Sequence, residues 1–183
     1  KHNHVELKFK NFKIVYNDPR RFGFFKIFKN NFDLKNYLKK NGLEPLNKNF
    51  NYSYLFKNIK NRTKYIKTIL LDQKIISGIG NIYANEILFY CKINPLKPGN
   101  KLSSEELKKI ELNSKKILRM AITLGGSSIR DFKSSEGKTG KFQNKFKVYD
   151  RENRNCPNIN CGSKIIKIFI SNRSTFYCKK CQK

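Results

Sequence analysis

Four cysteines near the end of the chain, Cys156, Cys161, Cys178 and Cys181, follow the pattern C-x(4)-C-x(16)-C-x(2)-C. Two short chelating loops at the ends of a hairpin-length insert leave few ways to fold. Four thiolates in tetrahedral array suit Zn²⁺, and a site closed by four cysteines has no open position for a substrate. The expectation is one structural zinc ion. The insert reads "GSKIIKIFI", "SNRS" and "TFYC", so the metal would clamp the base of a β-hairpin with Arg173 at its tip. A hairpin of this length is marginal by itself, and the metal stands in for the missing core. Arg173 is then either a rigidly presented cation or a solvated turn residue. Cys91 stands apart, and this grouping fits metal ligands in a reducing compartment better than a disulfide framework.

The partner is suggested by charge. The chain of 183 residues carries 40 Lys and Arg against 13 Asp and Glu, a net +27. An AT-rich source would inflate lysine, but it would not deplete the acids, and a polyanion is the natural ligand. With 38% hydrophobic and 13% aromatic residues the chain can bury a real core. Nothing reads as a membrane span, and "KHNHVELKFK" lacks the apolar stretch of a signal peptide, which places the protein in the cytoplasm. The first residue is Lys1 rather than Met, so the chain is expected to be a fragment.

Alternation from Val5 to Phe28, punctuated by "NDPRR", predicts strands joined by a turn. Leu55, Ile59, Ile66, Ile69 and Leu70 recur at helical intervals after a break at Gly42 and Pro45. The best-defined helix is "LSSEELKKIELNSKKILRMAITLGG". Ser103 and Glu106 form a capping box, Leu107, Ile110, Ile117, Ala121 and Leu124 make an apolar stripe, and Gly125 ends it. A polar, basic loop and a short strand are expected before the cysteines.

Two further stretches could touch a polyanion. In "SGIGNIYANEILFY", Gly78 and Gly80 let backbone N–H groups converge at a helix N-terminus, a ready phosphate site, and Asn81 adds a side-chain donor. A tight turn without a ligand would look the same, but the surrounding charge favours phosphate. In "DPRRFG", Arg20 and Phe22 share a turn: a ring can wedge between bases while a guanidinium bonds a base edge. Without that context Phe22 reads as core and the arginines as surface ions.

In order, "KHNHVEL", "DPRRFG", "LLDQKIISGIGNIYANEILF", "GGSSIRDF", "GKTGKFQ" and "CGSKIIKIFISNRSTFYCKKCQ" closely resemble the bacterial formamidopyrimidine-DNA glycosylases, over essentially the whole chain. The resemblance implies an α+β protein in three parts: the last strands of an N-terminal β-sandwich over 1–45, a helix-two-turn-helix domain over 46–136, and a capping loop with a zinc finger over 137–183. It implies base-excision repair, in which oxidised purines such as 8-oxoguanine are flipped from duplex DNA and excised and the strand is cleaved by β,δ-elimination. Arg20 and Phe22 match residues that fill the gap left by the flipped base, the arginine reading the orphaned cytosine. His2, Arg62 and Asn81 match DNA-backbone contacts, and Gly78 and Gly80 lie in the same phosphate-binding turn. "SSEGKTGKF", with Lys138, matches the loop closing over the lesion, and Arg173 matches an arginine that grips phosphate and acts catalytically in the final elimination. A monomer acting on damaged duplex DNA in the bacterial nucleoid is implied.

Two departures stand out. The first cysteine pair is usually C-x(2)-C in this family, whereas "CPNINC" is two residues longer, so an altered knuckle is expected. The family's attacking group is an N-terminal proline amine, assisted by a glutamate and a lysine that precede the region matched here. The expectation is that these residues bind DNA and do not perform the chemistry alone. A truncated, non-enzymatic zinc-containing DNA-binding module is the alternative. A zinc-ribbon protein of the ribosome or transcription machinery explains charge and cysteines but not "DPRRFG".

Overall fold

The computed structural model describes residues 2–19, 21–127 and 140–183. Arg20 and Lys138 lie outside them. The chain divides into one unit spanning Lys1–Lys39 and a second spanning Lys40–Lys183.

In the first unit, β1 (Asn3–Lys8) pairs antiparallel with β2 (Lys13–Asn17), and α1 (Asn31–Leu38) follows, N-capped by the Asn30 side chain. The hairpin and turn agree with the alternation, but the strand expected in "FGFFKIF" does not form. A strand is defined by its pairing, and no other strand in the described part of this unit takes up the backbone of that segment. Phe22, Phe24 and Phe25 stand exposed, Phe22 81% accessible, while Phe28 is partly covered and lies against Tyr37.

The second unit is built on helices α2 (Tyr52–Ile59), α3 (Ile66–Leu70), α4 (Asn81–Cys91) and α5 (Ser104–Thr123). The periodic residues Leu55, Ile59, Ile66, Ile69 and Leu70 are all buried in one core with Ile87, Ile110 and Ile117. On α5 the capping box is present: Ser103 Oγ accepts from the Glu106 N–H, and the Glu106 carboxylate accepts from the Ser103 N–H. Leu107, Ile110, Ile117 and Ala121 are buried as the stripe requires, and Leu124 packs partly buried beside them. Gly125 follows at φ +72°, a left-handed position that favours glycine.

After a 3₁₀ turn at Phe142–Lys145, the strand expected before the cysteines is absent. The N–H groups of Lys147, Val148 and Tyr149 instead donate to the carboxylate of Glu86, from the middle of α4. A side chain thus occupies the hydrogen bonds that a neighbouring strand would have taken. The terminal hairpin pairs β3 (Ile166–Ile170) with β4 (Arg173–Tyr177), in register from Ile166↔Tyr177 to Ile170↔Arg173. Ser171 and Asn172 form its two-residue turn, both at positive φ as a tight hairpin of this hand demands. Among the described residues, no helix is long and apolar enough to cross a membrane.

Candidate nucleic-acid interface and metal centre

The four terminal cysteines converge. Their sulfurs lie within 4.8 Å of one another. Cys156 and Cys181 are 3.8 Å apart, Cys161 and Cys178 3.6 Å, and Cys161 and Cys181 3.3 Å. Zinc–sulfur bonds of about 2.3 Å at tetrahedral angles separate sulfurs by roughly 3.8 Å, so the donor set fits a metal ion. None of the four is in a disulfide. Burial pushes the Cys156 thiol up to about 12; a cation supplies the charge that lets such thiols ionise. The longer first knuckle is accommodated by Asn160 at φ +61° and Gly162 at φ +63°, which turn Cys161 back toward its partners. Cys91 is buried elsewhere, in the helical core.

Helix α4 ties this finger to the helical core through three polar side chains in an otherwise apolar helix. Asn81 Nδ2 donates to the Ser174 carbonyl at 3.0 Å, and Asn85 Oδ1 accepts from the Phe176 N–H at 2.7 Å. Glu86 holds residues 147–149 from the same helix. Burial raises the Glu86 carboxyl above its usual range, and the three N–H donors oppose that. From α3, Lys67 reaches the same hairpin: its Nζ donates to the Ser174 carbonyl at 2.9 Å and to Thr175 Oγ1 at 2.6 Å. Lys67 is fully buried, and burial first, then the neighbouring Arg173 charge, lowers its pKa to about 8.

The consequence for the second unit is that Asn81, at the start of α4, is bonded to the residue that follows Arg173 at the start of β4. Gly80 caps α4 in extended geometry, no side chain caps the helix, and its first turn contains no acid. Its N-terminal N–H groups therefore face outward with their partial positive charge. Gly78 is at φ +84°, its N–H held by Gln73 Oε1 at 2.8 Å, so it shapes the turn that delivers Gly80. Asn81 keeps one amide hydrogen beyond the one given to Ser174. Arg62, whose Nε is anchored on the Asn58 carbonyl at 2.8 Å, lines a cleft of about 240 Å³ together with Lys64, Thr68, Asp72, Ser171 and Arg173. One open cleft thus gathers Arg62 and Arg173.

In the first unit, the backbone carbonyl of His2 accepts from the Asp18 N–H at 3.1 Å, which brings His2 beside the "DPRRFG" turn. Phe22 projects from that turn.

Residues 41–133 match the family described as the formamidopyrimidine-DNA glycosylase H2TH domain. The chain is 42% identical over 185 residues to the formamidopyrimidine-DNA glycosylase of Roseobacter denitrificans, covering all of this chain and 65% of the relative. It is 40% identical over 184 residues to that of Haemophilus influenzae, covering all of this chain and 67% of the relative. The chain belongs to the formamidopyrimidine-DNA glycosylase family. It spans about two thirds of the length of these curated relatives. Among solved structures of formamidopyrimidine-DNA glycosylases, it is similar to the Lactococcus lactis Fpg in complex with DNA containing an abasic site. There the TM-score is 0.89 and the identity 38%, over all of this chain and 67% of that one. It is also similar to the MutM (Fpg) protein of Thermus thermophilus, at TM-score 0.88 and 33% identity over 99% of this chain and 68% of that one. The mixed α and β fold with a helix-two-turn-helix domain and a four-cysteine hairpin, expected for a formamidopyrimidine-DNA glycosylase, is the fold observed.

Lys67, Asn85 and Glu86 are not singled out by sequence reasoning. The signal is available for two of them: a Lys between Ile66 and Ile69, and a Glu inside "IYANEILFY", are polar residues on apolar faces and call for a partner.

Proposed function

We propose that this chain is the DNA-gripping part of a base-excision glycosylase and strand-cleaving lyase that acts on oxidised purines in duplex DNA. The observation carrying the reading is the hydrogen bonding of Asn81 and Lys67 to Ser174, the residue after Arg173, beside a basic cleft lined by Arg62 and Arg173 and an uncapped helix N-terminus. Phosphate has the size and charge to sit against such donors. Asn81 and the N–H groups after Gly80 would hold one phosphate, and Arg62 and Arg173 its neighbours, fixing the register of the duplex without reading sequence. Phe22 would enter the stack where a base has left it, and Arg20 would read the base opposite. Lys138 belongs to the loop proposed to cover the extruded base. His2 would add a backbone contact from the first unit. The resemblance assigns attack on the sugar to an N-terminal proline amine and the late elimination to Arg173.

Cys156, Cys161, Cys178 and Cys181 would hold one zinc ion. It would neutralise the thiolates and clamp the base of the hairpin, which is how a short strand pair can present Arg173 rigidly. The division into a sandwich portion over 1–45, a helical domain over 46–136 and a loop and finger over 137–183 is proposed on the same resemblance.

The deciding experiment compares binding of this chain to duplexes containing 8-oxoguanine or an abasic analogue opposite cytosine with binding to the undamaged duplex, across a salt series. Tighter binding to damaged DNA is expected, with affinity falling steeply as salt rises; about six neutralised phosphates give a log–log slope near −5. Equal affinity for all duplexes would favour a non-enzymatic DNA-binding module. A slope near zero would remove DNA as the partner.

A further inference from the structure

The turn that carries Phe22 is organised around one carboxylate. Asp18 Oδ1 accepts from the Arg21 N–H at 3.0 Å, and Oδ2 accepts from the Gly23 N–H at 2.7 Å and from the Tyr16 hydroxyl at 3.1 Å. The Asp18 carbonyl accepts from His4 Nε2 at 2.9 Å if that nitrogen carries the proton. Tyr16 is itself braced edge-on against Phe25, with ring centroids 4.9 Å apart. A side chain at Gly23 would overlap the Tyr16 hydroxyl, so glycine is what lets the tyrosine reach the carboxylate. Arg21 sits at φ +56°, an uncommon conformation for a residue with a side chain. The carboxylate therefore brackets Phe22 on both sides, through the N–H before it and the N–H after it.

Electrostatics makes this placement informative. A carboxylate beside a surface that approaches phosphate repels it, so Asp18 weakens any simple Coulomb attraction of this unit for DNA. The partners named above all lie within the turn and hairpin. We propose that Asp18 is a positioning residue for Phe22: it holds the turn in the shape in which the ring enters a vacated base position, so that little order has to be imposed at insertion. The inference rests on the reading of Phe22 as a wedge given above.

The test is a double-mutant cycle on the full chain. Dissociation constants are measured for a duplex carrying a tetrahydrofuran abasic analogue opposite cytosine and for the intact duplex of the same sequence, and their ratio is the readout. Asp18→Asn keeps the size of the side chain but turns an amide toward donors that need an acceptor. It should lower the preference for the gapped duplex about tenfold while leaving the salt slope within about one unit of wild type. In a Phe22→Ala background the same substitution should lower it no further. Tyr16→Phe, which removes the hydroxyl donor and leaves the two backbone bonds, should cause a loss of about threefold, also absent without Phe22. This variant decides the matter if Asp18→Asn does not fold.

Three results would overturn the proposal. If Asp18→Asn strengthens binding to both duplexes alike, the carboxylate is only a repulsive charge. If it lowers the ratio equally with and without Phe22, it acts by another route. If Phe22→Ala alone leaves the ratio at its wild-type value, the wedge reading itself falls, and the role of Asp18 falls with it.

Discussion

The Asn81 side chain donates its amide to the Ser174 carbonyl, the first carbonyl after Arg173, across 93 residues of sequence. The same carbonyl accepts from Lys67, so Ser174 keeps a partner when Asn81 is removed. Asn81→Ala should leave the hairpin in place while deleting the donor proposed to meet phosphate. Affinity should fall by about tenfold or more for damaged and undamaged duplexes alike, since a hydrogen bond to a charged group contributes about 1.5–3 kcal/mol. Parallel titrations of several sequences check this, and a loss confined to damaged duplex would contradict it.

Lys67 gives a pH dependence with a definite sign. Its folded pKa is lowered to about 8 from the ordinary 10.5, burial being the larger cause and Arg173 the smaller. Between those values the unfolded chain holds a proton that the folded chain has released, so this group's contribution to stability rises with pH across the window and is lost as pH falls through 8. Lys67→Met should lack that trend. Melting temperatures of both proteins at several pH values should diverge by a few degrees in favour of wild type as pH climbs. The amine is also closed off by Ser174 and Thr175, so borohydride trapping with damaged DNA should yield no adduct at Lys67 on peptide mapping.

Glu86 satisfies three backbone donors at once, at 2.9, 3.0 and 2.9 Å. Glu86→Ala strands them in a buried setting, and each unpaired group costs about 1–3 kcal/mol. A loss of roughly 3 kcal/mol is expected, about 6–12 °C in melting temperature at this size. Denaturation by heat and by urea should agree. Glu86→Gln, which keeps one acceptor, should fall between.

Metal analysis of protein purified without added zinc should return about one ion per chain. Cys178→Ser should release it readily to a chelator, with loss of hairpin structure, and a stoichiometry near zero in the folded protein would defeat the assignment. Cys91→Ser should leave metal content unchanged, because burial pushes that thiol up to about 12 and it lies in the helical core.

Much of the architecture is legible in the sequence because its determinants are local. The capping box and stripe of α5 lie within one helix, and the cysteine spacing together with the Ser171–Asn172 turn specifies the finger. The "FGFFKIF" segment misleads because alternation reports a face, whereas a strand also needs a neighbour. The strand expected before the cysteines fails for a different reason, since Glu86 competes for its N–H groups from 61 to 63 residues away. The partners of Lys67 are hidden on the same grounds: its acceptors are 107 and 108 residues downstream. Spacing within a helix announces that a polar residue is buried, but not what it meets.

The polar face of α4 also has a timetable. Asn85 finds Phe176 only after 91 further residues have been added, and synthesis at about 5–20 residues per second makes that wait roughly 5–20 s. Glu86 is satisfied once residues 147–149 have been made, but Asn81 Nδ2 and Asn85 Oδ1 wait for Ser174 and Phe176, and until then this surface of the nascent helix cannot close. The proposed grip on DNA would therefore be a late product of translation, arriving with the finger rather than with the helices, and a growing chain stalled before β4 would expose α4 to chaperones instead of to a duplex.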